Sequence, residues 1–106
     1  AFFDALFGEI GIKSIAKTER MAMYGKSFGN GVFSICTPYD KQPATVGNGT
    51  MIALNAESEE NVKKLHARAL ALGGKDEGAP GPRGNGFFGA YFRDLDGNKF
   101  CAFKLG

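Results

Sequence analysis

The chain has no tryptophan, a single histidine, two cysteines and four prolines among its 106 residues. Each shortage removes a class of function. One histidine, His66, cannot build a His-x-Glu or His-x-x-His ligand set, and it is expected on the solvent side of a helix. Cys36 and Cys101 fit no zinc spacing and make no disulfide framework. They are expected as small buried apolar side chains of a protein in the reducing cytoplasm. Thirteen basic and eleven acidic residues leave a net charge of +2 with no basic run, so neither nucleic acid nor a membrane surface is expected as a partner. Apolar runs stay far below the roughly 20 residues that cross a bilayer. No signal peptide is expected from the first residues. Ala1, Phe2, Phe3, Asp4, Ala5, Leu6 and Phe7 read as helix interior without a cap, so the true N-terminus is expected upstream of Ala1.

What is present is a globular composition, 43% hydrophobic and 23% charged, on a chain long enough for one domain with its own core. Residues 21–36 and 89–103 share a pattern: an apolar strand, a turn carrying Gly-Asn, and a second apolar strand. Gly29-Asn30 aligns with Gly97-Asn98 without a gap, which matches Met23 to Tyr91, Tyr24 to Phe92, Val32 to Phe100 and Phe33 to Cys101. A duplicated unit of this size can enclose a pocket between its copies.

Helical spacing of Phe2, Phe3, Leu6, Phe7 and Ile10 ends at Gly11. Strands are expected over 12–19, 20–26, 31–37 and 50–56, with the first hairpin joined by residues 27–30. Pro38, Pro43 and small polar residues mark a linker over 39–48. The clearest helix starts at the N-cap Ser58, carries Glu59 and Glu60 at its positive end, and ends at Gly73-Gly74. Val62, Leu65, Ala69 and Leu72 form its apolar stripe. Residues 76–86, rich in glycine and proline, are expected as a loop that flaps over a cavity, with a short edge strand at most at its start. Strands over 87–93 and 99–104 flank the turn at 94–98, where Asp94 and Asp96 are expected to hold the turn and not to act as paired acids.

The fold class is therefore α+β: two βαβββ modules, the first lacking its opening strand, each a sheet with one helix-covered face and one face free to line a cavity. Module one is 1–38 and module two 49–106, within a single domain. Alternation places Ile52, Leu54, Phe100 and Ala102 under the helix, and Met51, Tyr91, Lys99, Cys101 and Phe103 on the cavity side. The internal alignment adds Met23 and Phe33.

The phrase Tyr91-Phe92-Arg93-Asp94-Leu95-Asp96-Gly97-Asn98-Lys99 resembles the closing motif of the glyoxalase, bleomycin-resistance and extradiol-dioxygenase (vicinal oxygen chelate) family, with Leu95 in place of the usual proline. Residues 47–54, followed by the helix and Gly73-Gly74, match as well. The resemblance implies curled sheets around a central cavity, with metal ligands in many members on the opening and closing strands. Carried over, those ligand positions fall on Met51, Cys101 and Phe33, and the fourth on the strand absent here. Phenylalanine offers no donor and methionine a weak one, so no metal and no other cofactor are expected.

The expected function is binding of a small apolar organic molecule by Met23, Phe33, Met51, Tyr91, Cys101 and Phe103, with Arg83 meeting any anionic group. The alternative is a glyoxalase-like lyase or isomerase using Cys101 or Tyr91. A drug-sequestering resistance protein ranks third, because cationic drugs want an acidic cleft. A homodimer is expected in each case.

Overall fold

The computed structural model describes residues 2–25, 33–38, 40–47 and 49–105. The first hairpin's turn at 27–30, Val32 and Tyr39 lie outside them. The chain divides into two compact units, Phe3–Thr45 and Val46–Gly106. The architecture is the α+β arrangement expected, in the order α1 (Phe2–Gly8), β1 (Lys13–Lys17), β2 (Met21–Gly25), β3 (Phe33–Cys36), then β4 (Ile52–Asn55), α2 (Glu59–Ala71), β5 (Lys75–Gly84), β6 (Phe87–Arg93) and β7 (Lys99–Leu105). The second unit is βαβββ, and among the described residues the first unit has the same order beginning at its helix.

In the first unit the strands form an antiparallel sheet in the order β1-β2-β3. Phe3 and Phe7, four residues apart on α1, present one apolar face, and Tyr24 and Phe33 meet it with ring centroids 5.2 to 6.3 Å apart. Asp4 on α1 accepts a hydrogen bond from the Tyr24 hydroxyl at 3.0 Å and pairs with Lys17 at 3.4 Å, tying helix to sheet. That hydrogen bond, with the Lys17 charge, holds the Asp4 carboxyl below its ordinary value.

In the second unit the sheet order is β4-β7-β6-β5, with β4 parallel to β7 and the rest antiparallel. Helix α2 is capped as its sequence demands. Ser58 Oγ accepts from the Asn61 amide at 3.1 Å. At the other end the Gly73 amide bonds Leu70 O and the Gly74 amide bonds Ala69 O, with Gly73 at φ +102°, a Schellman closure. Val62, Leu65, His66 and Ala69 are buried, and the helix packs across β5, β6 and β7. The fully buried Ala90, Phe92, Phe100 and Ala102 lie beneath it, with Phe92 and Phe100 stacked at 5.5 Å.

Three expectations change here. β4 occupies the edge of the sheet farthest from β5, so α2 does not cover it; Ile52 stays 38% exposed and Leu54 half-buried. Residues 75–84 are not a loop but a ten-residue strand. β5 is an edge strand, the place where Pro80 and Pro82 cost no ladder hydrogen bond, and its register shifts at three points. It returns to β6 through Asn85-Gly86, at φ +53° and +78°, the two left-handed residues of a tight hairpin turn. That Asn-Gly pair was the signal for a hairpin at this point. His66, third, is buried at 6% exposure and not on the solvent side. It stands four residues after Val62, on the same helix face, and its Nε2 lies 2.9 Å from Asp76 Oδ1 on β5.

Candidate functional site

The register of β6 with β7 is the expected one: Arg93 opposite Lys99, Tyr91 opposite Cys101, Gly89 opposite Phe103. Because Phe88, Ala90 and Phe92 turn toward α2, with Lys63 of the helix 5.9 Å over the Phe88 ring, the alternate residues form the other face. Tyr91, Cys101 and Phe103, three of the expected binding residues, therefore share one face of one sheet.

At the centre of that face Cys101 is 1% exposed. Burial pushes its thiol above the ordinary value, against the opposing pull of a hydrogen bond with Tyr91 and the charges of Arg83 and Lys99. The net result is a neutral thiol and not an activated thiolate. Arg83 belongs to β5 and not to a flap. Its guanidinium folds back along its own strand, donates from Nη2 to Ala79 O at 2.7 Å and lies 5.4 Å over the Tyr91 ring. Gly78 and Gly81 leave the trough for it: a Cβ on Gly81 would stand 3.1 Å from Arg83 Nη1, and one on Gly78 would stand 3.0 Å from the Tyr91 ring. Lys99 Nζ approaches the same ring at 5.6 Å.

Along the face toward the β5–β6 turn, Phe87 folds over Gly89 and stacks on Phe103 at 5.6 Å with 12° between the planes. A side chain at Gly89 would meet the Phe87 ring at 2.7 Å. In the opposite direction a groove of about 510 Å³ is lined by Val46, Thr50, Met51, Arg93 and Lys99 with the backbone of Gly47 and Gly49. Met51, 48% exposed, is thus gathered with the two cations of the closing turn. Arg93 is held by Glu77 at 3.4 Å and by Gly97 O at 2.8 Å. The turn itself is built by the buried Asp94, whose Oδ1 accepts from the amides of Asp96 and Asn98 at 3.0 and 2.8 Å and whose Oδ2 accepts from Asn98 Nδ2 at 2.9 Å, so its role is structural. Lys99 is on the face where alternation placed it beside Cys101 and Phe103, though it was not among the expected binding residues; Arg93 and Phe87 were absent from that set, although the same alternation selects them.

The first unit departs from its repeat. Tyr24 lies opposite Phe33, and Met23 opposite Ser34. Phe33 therefore points at Phe3 and Phe7 on the helix side, not at a free face; Met23 and Ser34 occupy the face away from α1. The gapless alignment is one residue out on β3, and one residue reverses a strand's faces. Cys36, expected buried, is exposed, beside a hollow of about 730 Å³ lined by Arg20, Pro38 and Lys41 among others.

A family model for the Glyoxalase/Bleomycin resistance protein/Dioxygenase superfamily matches residues 3–102. The chain belongs to this superfamily. Among solved structures, a glyoxalase/bleomycin resistance protein from Albidiferax ferrireducens T118 is 40% identical to this superfamily member, with 99% of this chain and 85% of that one covered and a TM-score of 0.86. A glyoxalase/bleomycin resistance protein/dioxygenase family enzyme from Burkholderia phytofirmans PsJN shares the fold at 18% identity and TM-score 0.75, over 99% of this chain and 86% of that one. So does lactoylglutathione lyase from Agrobacterium tumefaciens, at 18% identity and TM-score 0.68 over 98% and 81%. Comparison with curated proteins finds no match.

The superfamily's metal does not fit the donors of this glyoxalase-superfamily chain. Of the positions carried over by resemblance, Phe33 faces its own helix, Met51 is a thioether, and Cys101 is a buried thiol held in its neutral form. Among the described residues no three His, Cys, Asp or Glu side chains converge as a metal site requires. No helix among them is long and apolar enough to cross a membrane.

Proposed function

We propose that this chain binds a small organic molecule, without a metal, on the face of the β4-β7-β6-β5 sheet away from α2. The observation that carries this is the continuous aromatic row of that face: the Phe87–Phe103 stack followed by Tyr91 over the buried Cys101, all half-buried or buried, with Met51 at the far end. Such a surface suits a ligand of aromatic or aliphatic bulk. A lyase that uses the Cys101 thiol as nucleophile is disfavoured by the burial that keeps it protonated. Sequestration of a cationic drug is disfavoured by Arg83 and Lys99 on the same face, which repel it.

Fluorescence titration with phenylnaphthylamine, a neutral aromatic probe, tests the proposal. Saturable binding should persist in EDTA and weaken in Phe103→Ala by about 1 kcal/mol. Binding that requires added Ni, Zn, Mn or Fe, with one ion retained per chain after dialysis, would overturn it.

A further inference from the structure

We propose that Arg83 and Lys99, converging on Tyr91, form a seat for one anionic group, so that the ligand is an organic acid with its apolar bulk against Phe87 and Phe103. This rests on the binding face argued above and adds the class of ligand. Two cations lie within 6 Å of one ring, Arg83 at 5.4 Å and Lys99 at 5.6 Å. Among the described residues neither has a carboxylate partner, whereas Arg93, their neighbour on this face, is neutralised by Glu77. The carboxylate that reaches this face, Glu77, is taken up by Arg93, which leaves none for Arg83 or Lys99. Arg83 is also held in place. It is anchored to Ala79 O at 2.7 Å and housed in the trough left by Gly78 and Gly81, so its guanidinium is positioned before any ligand arrives. A fixed fork suits a carboxylate or sulfonate better than a mobile lysine does, and Lys99 adds a second charge from the groove that also exposes the Thr50 side chain and the Gly47 and Gly49 backbone.

The test compares two probes with the same rings, anilinonaphthalene sulfonate and neutral phenylnaphthylamine, by fluorescence titration of the intact chain. The sulfonate should bind about tenfold more tightly at low salt, and added NaCl should shrink that preference. Arg83→Gln and Lys99→Met should each weaken sulfonate binding roughly fivefold and weaken neutral-probe binding by a clearly smaller factor, so that the preference for the sulfonate falls. Lys99→Arg should retain the preference. Lys63→Ala, which removes a cation from the helix side over Phe88, should not alter it. Equal affinities for the two probes, insensitive to salt and to Arg83→Gln and Lys99→Met, would overturn the anion seat and leave the binding face standing. Failure of both probes to bind would remove the face and the seat together.

Discussion

Tyr24 lies opposite Phe33, nine residues later, whereas Phe92, its match in the repeat, lies opposite Phe100, eight residues later. The first hairpin thus accommodates one more residue than the second between paired positions. Phe33 is a core residue of its unit, packed on Phe3 and Phe7 at 5.4 Å each. Phe33→Ala should cost about 2 kcal/mol in urea unfolding, below the full-burial range because the ring is half-buried. It should leave phenylnaphthylamine affinity unchanged, and Ser34→Ala should be near neutral in both measurements. A stable Phe33→Ala protein with lost probe binding would contradict this placement.

The second prediction concerns the clip between α2 and β5. The Gly78 amide and His66 both hydrogen-bond Asp76 Oδ1, at 3.0 and 2.9 Å, and hold its carboxyl below the ordinary carboxylate value. A depressed folded-state value adds stability above the unfolded value, and that contribution is lost as pH falls through the depressed one. Asp76→Asn should therefore unfold at lower urea than the parent near neutral pH, and the gap should close below about pH 4. Equal midpoints across the whole range would show that the clip contributes nothing.

At the alkaline end the sign reverses. Burial and the Asp4 hydrogen bond push the Tyr24 hydroxyl up to about 12. Its contribution is complete below the ordinary value near 10 and lost as pH rises through about 12. Ultraviolet titration of tyrosinate should show a late step that is lost in Tyr24→Phe. Lys17 and Asp4 would then remain paired without their third member.

The extent to which this fold was legible follows from how local each signal was. The limits of α2 were written in Ser58 and Gly73, because caps are made by neighbouring residues. The pairing of Tyr91 with Cys101 followed from a short turn whose Asp94 reads only its own loop. Strand β5 was hidden because its composition resembles a loop, and only its edge position in the sheet makes Pro80 and Pro82 tolerable there. Phe33 was misplaced because register depends on the whole hairpin, and the repeat supplied a turn length from the wrong copy. The cation pair at Tyr91 needs three strands at once: Arg83 from β5, Tyr91 from β6 and Lys99 from β7. Alternation alone puts Tyr91 and Lys99 on one face; Arg83 joins them only through β5, whose composition hides it as a strand.

Gly74 tests how closely α2 seats on the sheet. A Cβ there would lie 2.7 Å from Arg93 O and 2.8 Å from Ala69 O, both backbone atoms that cannot swing aside. Gly74→Ala should destabilise by about 2–3 kcal/mol through overpacking. Gly8→Ala meets nothing within 4 Å at the end of α1 and should stabilise by up to about 1 kcal/mol. Thermal melts of the two variants should move in opposite directions. Similar shifts would mean that backbone entropy, not the approach of the helix end to β6, governs the site.

The two thiols give the last prediction, because they bear on whether chemistry occurs at the sheet face proposed to bind a ligand. Cys36 is exposed at the end of β3, and Cys101 is buried with its thiol pushed up by that burial. Reaction with a disulfide reagent requires both access and thiolate. At neutral pH the reagent should label one thiol per folded chain rapidly, and Cys36→Ser should abolish that fast phase. The second should react only after denaturant is added, and a ligand seated over Tyr91 should slow it further. Cys101→Ser should leave the fast phase intact. If Cys101 were instead the faster thiol, Arg83 and Lys99 would be lowering its pKa more than burial raises it, and a nucleophilic role for that thiol would replace the binding role argued for this face.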